Sequence, residues 1–510
     1  MHKRNQLKNN TSPAFTIVEL LIVIVVIGIL AAITIVSYMG IQRRAAETML
    51  KSDLSSAAKQ LETAKVDNND IYQASVTNLK KSTGTNFQYT YTPGSNYYCL
   101  SAVSDTSGIS AYYIDSTSKV ITEGVCTGHT LPGDPVTGWK YVAAGQNITC
   151  GLTLNNKVYC WGRNLGGKFG TGTTTDSITP VATNMSGVLA GKTLTGLAIG
   201  QTLDSVCAYN TTEIFCWGSG VLGNGVASST NSVPVAVTMS GVLAGKTIKS
   251  VMNGGGVMCA IASDDKEYCW GYSGVRAVNS SGTPSSSTVP MAWDQSSIFG
   301  SNPVQSVAHF NATKCAVVAG LGYCWGASFY GERGDGITSG TLTAPQAVIT
   351  SGVLSGKVMQ KVSRGDSNTC SIASGQAYCW GFGRNNDLGD GLSADSNVPV
   401  AVSTAGVLNG KTLTDIGTGK NFSCALATDN KMYCWGNATY GKLGNGGSSS
   451  TVPVAVTMSG ISAQQMSVGY YHTCFVATDD QMYCYGQNTY GELGDGSTTN
   501  RSVPVKVTLP

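Results

Sequence analysis

The sequence predicts a multidomain chain: a long amino-terminal α-helix with a small antiparallel sheet (α+β), followed by an all-β seven-bladed propeller. Three observations predict it. An apolar run fills residues 15–39, short alternating runs follow as far as residue 127, and from residue 139 one unit recurs seven times. At 510 residues the chain exceeds a single ordinary hydrophobic core.

Composition narrows the function classes before any motif is read. Charged residues make up 12%, about half the usual share, and 63 glycines point to a turn-rich chain. A net charge of +3, with no Lys/Arg stripe interleaved with aromatics, leaves counterion-driven nucleic-acid binding without a footprint. Sixteen cysteines, none before Cys99, read as a disulfide framework in an oxidising compartment. The four histidines, His2, His129, His309 and His472, fall in separate segments, and no nucleophile–base pair or phosphate loop accompanies them. The expectation is a non-enzymatic protein with no cofactor and no bound metal.

Residues 1–14 carry Lys3, Arg4 and Lys8 and no acidic side chain. Phe15 to Met39 is apolar apart from Thr16, Glu19, Thr34, Ser37 and Tyr38. About 20 such residues cross a bilayer as a helix, and the leading cations keep the leader inside. Taken alone, this pattern suits a plain signal-anchor equally well. Glu19 is the discordant residue, because a carboxylate in a membrane helix costs about 2.5–3.5 kcal/mol and needs a partner or a function.

The string Ala14-Phe15-Thr16-Ile17-Val18-Glu19-Leu20-Leu21, continued by the apolar residues to Ala32, resembles the class III leader of type IV prepilins. The resemblance implies cleavage between Ala14 and Phe15 by a prepilin peptidase, then N-methylation of Phe15. It also implies that Glu19 meets the new α-amino group of Phe15 on a neighbouring subunit during assembly. That family usually has Gly before the cut, where this chain has Ala14. Residues 1–14 are then a leader peptide, and 15–66 a helix whose first part, 15–39, is transmembrane. The implied partners are other pilin subunits, the peptidase and the inner-membrane assembly machinery. The implied location is the cytoplasmic membrane before assembly and the extracellular pilus or cell surface afterwards.

Past Tyr38 the helix is amphipathic. Leu50, Leu54, Ala57, Ala58 and Leu61 recur at three- and four-residue steps among Lys51, Asp53, Lys59 and Glu62. Residues 67–127 switch to period two, with strands expected at 87–91, 97–103, 111–114 and 120–122. Cys99 and Cys126 are the only cysteines of this small head, so a bridge between them is expected outside the cell. Helix plus small sheet again resembles a minimal type IV pilin or pseudopilin. Residues 128–138, with Pro132, Gly133, Pro135 and Gly138, read as a linker.

Residues 139–510 repeat a Cys, a hairpin's length of chain, and an aromatic-Cys-aromatic-Gly string. The cysteine pairs are Cys150 and Cys160, Cys207 and Cys216, Cys259 and Cys269, and Cys315 and Cys324. They continue with Cys370 and Cys379, Cys424 and Cys434, and Cys474 and Cys484. Second cysteines recur every 50 to 56 residues, a period that signals a propeller or a similar closed array. Most units add Leu-Gly-x-Gly, as at Leu443 to Gly446, and then Val-Pro-Val, as at Val452 to Val454. The glycines supply turns with positive φ, and the proline suits an outer edge strand. A hairpin sets each pair's two cysteines opposite one another, which favours bridges within a unit. A zinc reading lacks paired histidines and C-x2-C spacing. The Trp after each second cysteine reads as packing between strands.

These units resemble the repeats of the regulator-of-chromosome-condensation propeller family, a resemblance that implies the fold alone. Two units depart from the pattern. The third runs through a Ser-rich stretch from Ser280 to Ser287, and the fourth carries Phe329-Tyr330-Gly331-Glu332-Arg333. Irregular loops on a rigid scaffold are where recognition sits, though drift accounts for them equally well. The expected function is a minor or tip pilin that presents the propeller to a cell-surface or glycan ligand. The alternative is a major pilin, or a type II secretion pseudopilin, with a propeller that only decorates the filament.

Overall fold

The computed structural model describes residues 44–508 apart from 69, 74–75, 77–78, 93–95, 105–110, 124–125, 127–137, 201–204, 228, 255, 273–285, 293–295 and 311–312. The expected leader, the cut between Ala14 and Phe15, Glu19, the span 15–39 and nearly all of the linker lie outside the described residues. Among the described residues no helix is long and apolar enough to cross a membrane. The chain divides into two compact units, 1–134 and 135–510.

In the first unit residues 44–67 are helical. Their apolar stripe, Leu50, Leu54, Ala57, Ala58 and Leu61, is buried against Tyr98, Leu100, Ala102, Tyr112 and Ile114 of a four-stranded sheet. The sheet runs β1 (Thr85–Thr92), β2 (Tyr97–Ser104), β3 (Tyr112–Asp115), β4 (Thr122–Glu123), antiparallel and in sequence order. Asp53 ties helix to sheet by accepting hydrogen bonds from Ser82 N, Ser82 Oγ and Thr85 Oγ1. Burial alone would raise its pKa, but those bonds hold the carboxyl below its ordinary value. β4 starts later than residues 120–122 predict. Asp115 accepts the amides of Thr117 and Ser118, Lys119 takes a positive φ of 53°, and this turn carries the chain past Val120. A disulfide joins Cys99 in β2 to Cys126 beyond β4.

The second unit is an all-β propeller of repeated four-stranded sheets. Among the described residues there are seven such sheets, each made of contiguous sequence with neighbouring strands antiparallel. In the fifth unit the strands are Met359–Arg364, Asn368–Ala373, Gln376–Gly381 and Ser396–Ala401. The first strands touch one another around an axis, from unit one to unit seven and back to unit one. The closure is made by hydrogen bonds. Gln465 of the seventh unit brackets Val142 of the first, accepting from its N at 3.0 Å and donating to its O at 3.0 Å, and Trp139 N reaches Asp480 O at 2.7 Å.

Each pair of cysteines sits directly opposite across the second and third strands, as with Cys370 and Cys379. Their Cα atoms are 4.1 Å apart, the narrow spacing of a pair not joined by backbone hydrogen bonds. All seven within-unit bridges form, and no free cysteine remains among the described residues. A loop this short gives about 2–3 kcal/mol per bridge by chain entropy.

Adjacent sheets are held by the tryptophans and the Leu-Gly-x-Gly strings. Trp161, Trp217, Trp380 and Trp435 are fully buried. Their indole N–H groups donate to the backbone carbonyls of Glu492, Lys168, Glu332 and Asp387, each in the preceding unit around the ring. The first glycine of that preceding string lies flat against the indole. At Gly389, with φ of +71°, an added Cβ would fall 2.7 Å from Trp435, so a side chain is barred by both space and backbone. The prolines occupy the fourth, outer strand. Pro399 lies between Ser396 and Val400, where the register with the third strand shifts, and no ladder donor is needed there.

Candidate functional site

The candidate site follows from the direction of the strands. In an antiparallel sheet the turn after the first strand and the loop after the third emerge at the same end. Backbone bonds join them: Arg163 N to Asn147 O, Phe382 N to Ser367 O, Asn437 N to Asn421 O and Gln487 N to Tyr471 O, all 2.7–3.0 Å. Among the described residues one end of the propeller is therefore built from the turns after the first strands and the longer loops after the third, and aromatic and basic side chains gather there.

Tyr330 meets Phe382 edge-on at 5.0 Å, and Tyr440 meets Tyr471 at 5.9 Å. Arg163 lies 5.0 Å from the ring of Tyr490, and Lys420 5.3 Å and 5.7 Å from Tyr470 and Tyr471. Burial opposes the charge on Lys420, yet Tyr470 and Tyr471 outweigh it and raise its pKa. Phe329 is 72% exposed, Tyr440 45% and Tyr330 38%. Large apolar rings held in water by a rigid frame form a platform for a partner with flat, partly apolar faces. The irregular Phe329-Tyr330 string of the fourth unit thus falls on this end. Of the Ser-rich stretch in the third unit, residues 280–285 lie outside the described residues.

At the axis, Phe310 of the fourth unit stacks on Tyr470 of the seventh, ring centroids 5.8 Å apart and planes 7° from parallel. Units four and seven are not neighbours, so this stack crosses the ring. Beneath it lies a cavity of about 250 Å³ to which every first strand contributes. Its polar lining includes Asn253, His309, Lys361, Ser363, Arg364 and Asp415, with Lys361 paired to Asp415.

His472 is buried, with Nε2 2.7 Å from Thr149 Oγ1. The ligand-type atoms of Cys259, Glu267 and Cys269 lie within 4.8 Å of one another. The two sulfurs are bonded to each other, and Glu267 accepts from the buried Lys314 at 2.7 Å, so no thiolate is offered to a metal. Sequence reading missed the channel-lining charges. Arg364 ends its first strand, and Lys361 and Asp415 stand third in theirs, at positions where most units carry an uncharged residue.

Comparison with known proteins agrees with this architecture. A family model for the regulator of chromosome condensation (RCC1) repeat matches residues 374–426, 429–476 and 479–510, and a second so described matches 139–167, 413–442 and 463–492. The second unit is a propeller carrying RCC1 repeats. Over 253 residues the chain is 30% identical to the E3 ubiquitin-protein ligase HERC2 of Homo sapiens, covering 48% of this chain and 5% of that protein. The solved structure of Kap60 bound to yeast RCC1 (Prp20) matches with a TM-score of 0.57 at 15% identity, covering 73% of this chain and 85% of that one. A 92-residue stretch is 39% identical to the type IV wide pilus major component PilA4 of Thermus thermophilus, covering 17% of this chain and 70% of that protein. Over that stretch the chain belongs to the type IV pilus component family.

Proposed function

We propose that this chain is a minor type IV pilus subunit, at or near the filament tip, whose propeller recognises a cell-surface or glycan ligand. It acts by binding and not by catalysis. Other pilin subunits hold it through the amino-terminal helix, after prepilin peptidase has cut between Ala14 and Phe15 and with Glu19 paired to a neighbour's amine. The inner-membrane machinery then assembles it into a filament outside the cell. The single observation that carries the reading is the exposed aromatic and basic end of a disulfide-braced propeller on a chain that matches a pilus component. Eight disulfides suit an oxidising exterior, and stacked rings suit the faces of sugars.

The test is binding of cells that display the full chain to a glycan panel and to surface-protein extracts. The triple variant Phe329→Ala, Tyr330→Ala, Tyr440→Ala should lower retention at least about tenfold, the loss expected when aromatic anchors are truncated, with surface display unchanged. Wild-type retention by the variant would sink the proposal. A second reading, a major structural subunit, draws support from the printed role of the matched relative as a major component. Sheared filaments separate the two, since a dominant band of this chain would favour the major role.

A further inference from the structure

At the loop-bearing end of the propeller, Lys420 is a cation that no carboxylate of the fold compensates. It follows the first strand of the sixth unit and is half-buried, with Nζ 5.3 Å from the ring of Tyr470 and 5.7 Å from that of Tyr471. Those rings meet edge-on at 4.6 Å, and Tyr440 meets Tyr471 at 5.9 Å, so three tyrosines and an ammonium form one cluster. Lys192, Lys246 and Lys411, half-exposed lysines of other connections, each pair with a carboxylate. Among the described residues Lys420 has no such pair, and the neighbours that favour its charge are Tyr470 and Tyr471. Asp366 acts on Tyr470 but does not pair with the lysine. Behind the cluster, Lys442 donates to Lys420 O at 2.8 Å. Asp387 favours the charge on Lys442 and Lys420 opposes it, a repulsion that a bound anion would relieve. Tyr440 itself is held at a φ of +67°, where the first unit places Gly166 at +72°. A side chain there is costly to the backbone, yet the position presents a ring that is 45% exposed.

We propose that this cluster binds an acidic sugar, a pyranose bearing a carboxylate or a sulfate, with its ring face on Tyr440 and Tyr471 and its anionic group on Lys420. The inference rests on reading this end as the recognition surface and specifies the ligand. The C–H face of a pyranose is flat and partly apolar, and it packs on exposed aromatic rings. A lysine is a compact point charge on a flexible stem, so it suits a carboxylate and a sulfate alike. A neutral sugar would leave Lys420 uncompensated, and an acid without a ring would leave Tyr440 in water. The adjoining sector repeats the pairing: Arg163 of the first unit lies 5.0 Å from the ring of Tyr490 of the seventh, and among the described residues it too has no carboxylate partner. Two such cations on one end suit a polymer of acidic sugars.

The experiment measures retention of the full-length protein, in detergent, on immobilised polygalacturonate, its methyl ester, dextran sulfate and polyglutamate. Retention on polygalacturonate, dextran sulfate or both is expected, the first marking a carboxylate and the second a sulfate as the group held. The methyl ester lacks the charge and polyglutamate lacks the sugar ring, so both should retain the protein poorly. Raising NaCl from about 0.1 M to about 1 M, which shortens the Debye length from about 10 Å to about 3 Å, should release it. Lys420→Gln should weaken retention at least about fivefold, and Lys420→Arg should preserve it, because a guanidinium keeps the charge and also stacks on rings. Should Lys420→Gln fail to fold, the salt series and the comparison of acid with ester decide on the wild-type protein. Retention on none of the four, equal retention on polyglutamate, or full retention of a folded Lys420→Gln protein would each overturn the inference. Equal retention on the methyl ester would also overturn it while leaving a glycan-binding face standing; that wider reading falls separately, if the triple aromatic variant keeps wild-type retention on cells.

Discussion

His472 lies wholly inside the seam between the last and first sheets, and desolvation lowers its pKa from 6.5 to about 3. The unfolded chain takes up this proton near its ordinary value and the folded chain only near 3, so acid favours unfolding through that window. Above pH 6.5 the residue has no effect on the slope; below it, stability should fall by about 1.4 kcal/mol per pH unit. Urea unfolding of wild type and His472→Asn at a series of pH values checks this, with the variant expected to show a flatter acid limb. The same residue shows where sequence reading stops. His309 and His472 are both visible as isolated histidines, but nothing local says that one lines an axial cavity and the other a seam. Arg364 was hidden for a related reason. Six places before the first cysteine the units carry Ala144, Gln201, Asn253, His309, Arg364, Thr418 and Val468, and only alignment of the copies in register exposes the lone arginine.

The repeat was legible at the level of the element because its spacing and chemistry coincide. Cysteines nine or ten places apart imply a hairpin, and the structure pairs them directly across it. The role of Leu-Gly-x-Gly was only half legible. Its positive φ could be read from glycine, but the indole of the next unit lying on it could not, since that contact crosses about 46 residues of sequence, from Gly389 to Trp435. The distinction is measurable. Gly389→Ala meets both a strained backbone and a Cβ 2.7 Å from Trp435, whereas Gly406→Ala meets a φ of +77° and nothing within 4 Å. Thermal unfolding should show a cost of about 1 kcal/mol for Gly406→Ala and a clearly larger one for Gly389→Ala. In the first unit β4 was misplaced because alternation in Val120-Ile121-Thr122 competes with a turn organised by Asp115, and the side chain-to-backbone bonds win.

For the whole molecule the sequence implies that identical units must stack, yet it is silent about which side chains close the ring. Gln465 does so by bracketing Val142 from the far end of the chain. Gln465→Leu removes both hydrogen bonds and leaves the N–H and C=O of the buried Val142 without those partners. A loss of about 1–3 kcal/mol is expected, read as a lower Tm and as faster amide exchange in the first strands of units one and seven, with unit four unchanged. Uniform exchange across all units would argue against a localised seam. The hairpin disulfides have a further mechanical consequence. If tension pulled the ring open strand by strand, each bridge would withhold the eight or nine residues it encloses. That is about 30 Å of slack per sheet that no force short of breaking a covalent bond can release, so a torn propeller would lengthen far less than its residue count implies and would keep a ready-made hairpin in every sheet for re-formation once the load is gone.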